Sequence, residues 1–370
     1  MFVVWITEFL LYICLCLLTG TLIFYSLPEH RRPNIFVSKR LLLWTTVGAG
    51  ALSFAPILST MITMSNGIGF WTSFKNVLFV FEAGQAWIFT LAMALLLFGL
   101  IYFNRLQNDT FLARIGLILC VLLIGGYARA GHAASLYPLA GFTSHFFHLL
   151  AVTIWGGCLF VAAWLSKDEQ NWGSFLRWYT PLALISVLIV LVAGFFTMDI
   201  DIAAPLSHSL SSTLYQYKQG FFSNYGQALL IKHLLVIPLL LYGLFNGFFR
   251  KAIKRYHSIK WARAESFVIL LIFAVTAFMG QQPPPHQPDQ YLNLYGPSPL
   301  FLAIYQKNIP SDFVVHFSFN VFSFIFIDFS LLFLLMIILS FIKKFPNIIS
   351  LLMAVGFLAS TYFSIMATIA

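Results

Sequence analysis

The chain has 370 residues, of which 60% are hydrophobic and only 9% charged, with a mean hydropathy of +0.88. Ordinary soluble domains carry roughly 25% charged residues, so this composition excludes a soluble globule and, by its low charge density, a nucleic-acid reader. The formal net charge of +9 is unevenly placed, and the placement bears on topology.

In chain order, apolar runs close to the roughly 20 residues that a hydrocarbon core demands predict ten membrane spans. They fall at about 2–25, 41–63, 77–103, 111–129, 141–165, 180–198, 225–249, 264–280, 313–342 and 346–369. The fold class expected is all-α, a polytopic helical bundle in the lipid bilayer. Sixteen of the 21 Lys and Arg fall in the loops after spans one, three, five, seven and nine. The first of these loops holds Arg31, Arg32, Lys39 and Arg40, and the one after span seven holds Arg250, Lys251, Lys254, Arg255, Lys260 and Arg263. The positive-inside rule puts such loops in the cytoplasm and both termini outside it. Span one has neither a basic n-region nor a small-residue cleavage site, so it reads as a retained helix rather than a signal peptide.

Cys14, Cys16, Cys120 and Cys158 all lie within spans, and no CxxC occurs. Residues 14 and 16 point to nearly opposite helix faces, so the cysteines read as packing residues. There is no GxxxxGK[ST] phosphate loop, no GxSxG, no HExxH and no kinase signature, hence no expectation of an enzyme. Work on an ion would have to come from its gradient, a partner or the membrane potential, worth about 2.3 kcal/mol per charge per 100 mV.

A charged side chain at mid-bilayer costs about 2.5–3.5 kcal/mol, so each polar group inside a span asks for an explanation. The set is Glu8, Glu82, His145, His148, Lys232, His233, His316 and Asp328, with Arg129 and His132 at the outer edge. All but one are expected in the outer half. The exception is Asp328, expected about 22 Å below the start of its span, as a relay or release ligand or as a partner to neighbouring hydroxyls. His145 and His148, three residues apart, share a helix face. With His132 in the preceding loop they can supply three imidazoles, which suit copper, zinc, iron or nickel. Met198 offers a thioether that favours Cu(I), or simply packs; Asp199 and Asp201 beyond it are expected to be solvated. Lys232 is expected to pair with Glu82 or Glu8. Gly156, Gly157 and Gly194 are places where helices can approach closely.

The runs "RAGHAA", "HFFHLLAVTIWGGCLF", "RWYTPLALISVLIVLVAGF" and "YGQALLIKHLLVIPLLLYGLFN" resemble the copper resistance protein D family. Tyr225, Gly226, Leu229, Leu230 and Lys232, then Asn246, Arg263 and Glu265, carry the later part of that likeness. The likeness covers about 125–285, whereas the first four spans agree in number and order but hold little motif. It divides the chain into a four-helix segment (1–129), a copper resistance D-like core (130–285) and an extracytoplasmic loop with two further spans (286–370). It implies transport of copper, as Cu(I) or Cu(II) and in the sense of import, across the bacterial cytoplasmic membrane, with His132, His145 and His148 as the copper-associated residues. His316 is added as an outer ligand from its position.

Some members of that family carry a fused extracytoplasmic copper-binding β-domain of the copper resistance C type. None is legible in this chain, so a separate partner protein of that type is expected. Two rival readings remain at this point. One is a haem or electron-transfer membrane protein using His148 and His233 as axial ligands; the other is a copper-delivery factor for a terminal oxidase.

Overall fold

The computed structural model describes residues 2–202, 209–248, 258–286, 288–306, 309–310 and 312–369. Arg250, Lys251, Lys254 and Arg255 of the expected basic loop lie outside the described residues. The helices are α1 (Phe2–Tyr25), α2 (Lys39–Leu52), α3 (Ala55–Ile68), α4 (Phe70–Lys75), α5 (Glu82–Phe103), α6 (Thr110–Arg129), α7 (His132–Leu136) and α8 (Ala140–Leu165). They continue with α9 (Trp172–Ile202), α10 (Leu210–Gln219), α11 (Asn224–Gly247), α12 (Ser258–Met279), α13 (Pro288–Tyr295), α14 (Pro299–Tyr305), α15 (Val321–Lys343) and α16 (Asn347–Ala367). Among the described residues, β-structure is limited to two isolated bridges, Ile35 with Ser166 and Phe317 with Ile369.

Among the described residues, ten helical segments are long and apolar enough to cross a membrane, the number and order expected. One of them, Lys39–Ile68, is α2 and α3 in series. It breaks at Phe54 because Pro56 has no N–H to give and its ring crowds the preceding turn. The ninth span begins eight residues later than expected. Asn320 accepts from the Ser323 amide, and Ser323 Oγ accepts from the Asn320 amide, a reciprocal cap that fixes the start of α15 at Val321. Asp328 therefore lies about 10 Å below the start of its helix, not deep toward the far side, and it is exposed on the helix surface.

The chain divides into two compact units, Met1–Ile200 and Asp201–Ala370. In the first, α1 is central and packs on α2, α6 and α8, while α5 packs on α2 and α6. The C-terminal ends of α1 and α8 are joined by the segment between them: Ile35 bridges Ser166, and the Tyr25 hydroxyl donates to the Val37 carbonyl. The two helices thus run parallel. Gly20 and Gly157 are the contact. A Cβ on Gly20 would strike the Gly157 carbonyl, and one on Gly157 would strike the Cys16 carbonyl, so only glycine lets these backbones meet.

Against α6, by contrast, α1 runs antiparallel. Thr19 Oγ1 meets Cys120 Sγ at 3.5 Å, and toward the start of α1 Tyr12 bonds Tyr127. That register carries Glu8 level with Gly131, just past the end of α6.

In the second unit, α11 packs on α12 and α16, and α15 on α16. Its core gathers Phe221, Phe222, Leu230, Leu234, Phe301, Phe313, Tyr362 and Met366. Gln219 fastens the extended segment before α15 at both backbone poles of Val315, accepting from its amide at 2.8 Å and donating to its carbonyl at 3.2 Å. The Tyr225-Gly226 pair sits where the chain turns into α11; Gly226 lies directly on the Gly220 carbonyl, where a Cβ would collide.

Candidate metal path and buried polar groups

The first unit brings several of the expected residues to one end of α1, α6 and α8. Arg129, at the last turn of α6, donates to Glu82 Oε2 at 2.8 Å and to the Pro138 carbonyl at 2.7 Å. It thereby pins the 130–139 connection, including α7 and its first residue His132. Gly131 is packed on the His145 ring so closely that a Cβ would clash with it. His132 and His145 are thus neighbours across this connection. His132 is exposed at the surface, yet the helix ends around it remove enough water to lower its pKa below that of an ordinary imidazole.

His145 Nδ1 lies 3.2 Å from the Ala128 carbonyl, one of the last carbonyls of α6 and so short of an intrahelical partner. His148 Nδ1 lies 3.0 Å from the Val190 carbonyl on α9. It reaches that carbonyl because Gly194 stands beside it, where a Cβ would be 3.0 Å from the ring. A carbonyl can only accept, so both rings donate from Nδ1. The neutral tautomer then carries its lone pair on Nε2, the usual arrangement of a metal-binding histidine oriented by a carbonyl. His145 turns to α6 and His148 to α9. Among the described residues, no three His, Cys, Asp or Glu side chains are gathered tightly enough to hold one ion as they stand.

Glu8 is 8% exposed, about 9 Å below the start of α1. It acts electrostatically on Tyr12 and Tyr127, which are bonded to each other. By the α1–α6 register, this acid shares a layer with Gly131 and hence with the Gly131–His145 contact. Met198 is half-buried on α9.

Lys232 does not pair as expected. Glu82 is taken by Arg129, and Glu8 belongs with the tyrosines. The carboxylate that acts on Lys232 is Asp201, which the sequence suggested was solvated. It is not: Asp201 Oδ2 accepts from the Tyr225 hydroxyl at 3.2 Å, and Oδ1 is buried without a hydrogen bond among the described residues. The missed relation joins residues 24 apart, and the only signal for it was the tyrosine of the YG turn.

His233 points to an exposed face, where its Nδ1 is 2.9 Å from the Tyr217 hydroxyl. His316 is exposed in the extended segment before α15 rather than on a helix. A second buried acid also escaped the sequence reading as a site: Glu265, 2% exposed on α12, accepts from Asn246 Nδ2 at 2.6 Å. The histidines expected as haem axial ligands engage Nδ1 at different partners, His148 at the Val190 carbonyl and His233 at the Tyr217 hydroxyl.

Comparison with known proteins follows the same direction. A family model described as the copper resistance protein D-like, N-terminal domain matches residues 2–142. The chain is also 27% identical over 297 residues to the copper transport protein CutJ of Bacillus subtilis (strain 168), an alignment covering 75% of this chain and 52% of CutJ. The chain thus spans about half the length of the curated relative it matches. No solved structure matches the chain. The family match falls on the first four spans and the start of α8, the part in which the sequence showed little motif, and meets the expected 125–285 region only around Arg129 and His132. Over residues 2–142 the chain is thus similar to the copper resistance protein D-like N-terminal domain.

Proposed function

We propose that this chain carries copper across the bacterial cytoplasmic membrane, inward, as a transporter without catalytic chemistry of its own. The observation that carries the reading is the layer formed by Glu8, His132 and His145 at the start of α1 and the end of α6. An acid there concentrates cations, and imidazoles replace the hydration shell of a copper ion. His148, about 4.5 Å further along α8 than His145 by helix rise, offers a further imidazole for the ion to pass to. The copper transport named for CutJ and the positive-inside distribution of Lys and Arg support copper as cargo and this end as extracytoplasmic. A copper resistance C-type protein delivering the ion at this end belongs to the same proposal.

Copper accumulation in cells and in proteoliposomes, measured by mass spectrometry, tests it. His145→Ala and His148→Ala are expected to abolish copper-dependent accumulation while membrane insertion is retained. Undiminished accumulation in both variants overturns the assignment.

A further inference from the structure

Below the histidine layer, the same three helices bring thiols together. Cys16 on α1, Cys120 on α6 and Cys158 on α8 are each fully buried. Their closeness follows from backbone contacts. Gly157 lies on the Cys16 carbonyl, and a Cβ on Gly20 would come within 2.9 Å of the Cys158 amide nitrogen. Cys16 and Cys158 therefore occupy touching turns of two parallel helices. Cys120 Sγ is held at 3.5 Å from Thr19 Oγ1, one turn along the face that carries Cys16. Cys158, Cys120 and Cys14 all act electrostatically on Cys16. Cys14 departs from the group, since its Sγ would be 2.8 Å from a Cβ on Gly48 of α2.

We propose that Cys16 and Cys158, with Cys120 beside them, are a mid-span site for Cu(I). The proposal rests on copper being the cargo. Cys16 and Cys158 sit on touching turns with Cys120 one turn along, and soft sulfur ligands select Cu(I) over harder cations. Cu(I) is satisfied by two sulfurs in a line, so no closed cage of three ligands is required.

The charge balance suits the apolar surroundings. One thiol loses its proton and binds as thiolate, and the second sulfur donates a lone pair as a neutral thiol. One Cu(I) thus replaces one proton, and the net charge of the site does not change. The displaced proton leaves to water at the Glu8 and His132 end. Copper stays Cu(I) throughout, so no oxidant or reductant is needed. The site lies about 12 Å further along α1 than Glu8, with the Tyr12–Tyr127 pair between them. The ion thus steps from imidazole to sulfur along a single three-helix column. Buried neutral thiols release it as readily as a proton returns, which keeps the site from trapping its cargo.

The test uses the full chain, purified in detergent and loaded anaerobically with a Cu(I)–acetonitrile complex. X-ray absorption at the copper edge is expected to show Cu–S scattering in the wild type. Cys16→Ser and Cys158→Ser should each remove it and weaken Cu(I) retention against a competing chelator at least tenfold, whereas Cys14→Ser should leave both unchanged. The His145→Ala/His148→Ala double variant, loaded directly in detergent, should keep the Cu–S signal although it no longer accumulates copper in proteoliposomes.

Absence of Cu–S scattering in the wild type overturns the thiol site whatever the variants do. So does scattering that survives in both Cys16→Ser and Cys158→Ser. If accumulation then still depends on the histidines, the transport reading stands without the thiols. If no variant changes either accumulation or binding, both fall.

Discussion

The Tyr225 hydroxyl donates to Asp201 Oδ2 across 3.2 Å, and the other oxygen of that carboxylate is buried with no hydrogen bond among the described residues. A buried carboxylate in this position is tolerable because Lys232 supplies a nearby positive charge. Removing one member of such a pair leaves the other charge uncompensated, which is worse than removing both. Lys232→Met and Asp201→Asn are each expected to lower the midpoint of thermal unfolding in detergent, and the double variant less than their sum. The coupling should be about 1–3 kcal/mol. Strict additivity would show that the two charges do not sense each other.

The contact of Gly20 with Gly157 sets the spacing of α1 and α8 by backbone alone. An alanine at Gly20 meets the Gly157 carbonyl, and a carbonyl cannot rotate away as a side chain does. The helices must separate, at a cost of about 1–3 kcal/mol for an overpacked contact. Gly99 is the control. It is also inside a helix, but a Cβ there meets nothing within 4 Å, and alanine should stabilise it by up to about 1 kcal/mol through helix propensity. Thermal unfolding of Gly20→Ala and Gly99→Ala should therefore shift in opposite directions. A shift of the same sign in both would refute the contact.

How much of this was legible beforehand depends on what kind of regularity carries it. The ten spans were legible because hydropathy alone sets the length of a membrane helix, and the histidine spacing on α8 was legible because it is local. The start of α15 was not. Residues 313–319 are nearly all apolar, so they read as helix, yet Phe313 and Val315 are buried while Val314 and His316 are exposed. That alternation belongs to an extended chain, and the helix waits for the Asn320 cap. Partners across the bundle were equally hidden. Thr19 and Cys120 are 101 residues apart, and no pattern within either helix reveals their register. The same limit explains why Lys232 was given the wrong carboxylate.

Asn246 Nδ2 donates to Glu265 Oε2 at 2.6 Å, a bond between α11 and α12. Asn246→Ala leaves the buried carboxylate without that donor, a loss of about 1.5–3 kcal/mol for a hydrogen bond to a charged group. Asn246→Leu together with Glu265→Met removes the polar pair as a unit. It is expected to recover most of the loss, because a buried polar pair is often replaced by apolar residues without penalty. Unfolding midpoints of the wild type, the single variant and the double variant would decide this. A double variant no more stable than Asn246→Ala would show that the bond is not what holds Glu265.

His132 gives the structure a pH dependence of definite sign. Its folded pKa lies below the ordinary 6.5, so between that lower value and 6.5 the unfolded chain holds more protons at this position than the folded one. Stability must then rise with pH through this window and be lost as pH falls below 6.5. His132→Asn removes the titrating ring and should flatten that part of the profile of thermal midpoint against pH, measured from 7.5 down to 5.0. The same desolvation keeps the imidazole neutral, and so able to ligate, at a pH where a solvated histidine is already half protonated. Copper retention by the wild type should therefore hold to a lower pH than free imidazole would allow, with His132→Asn losing that margin. An unchanged profile in the variant would mean that the ring titrates as it does in water, and that the packing around α7 does not reach it.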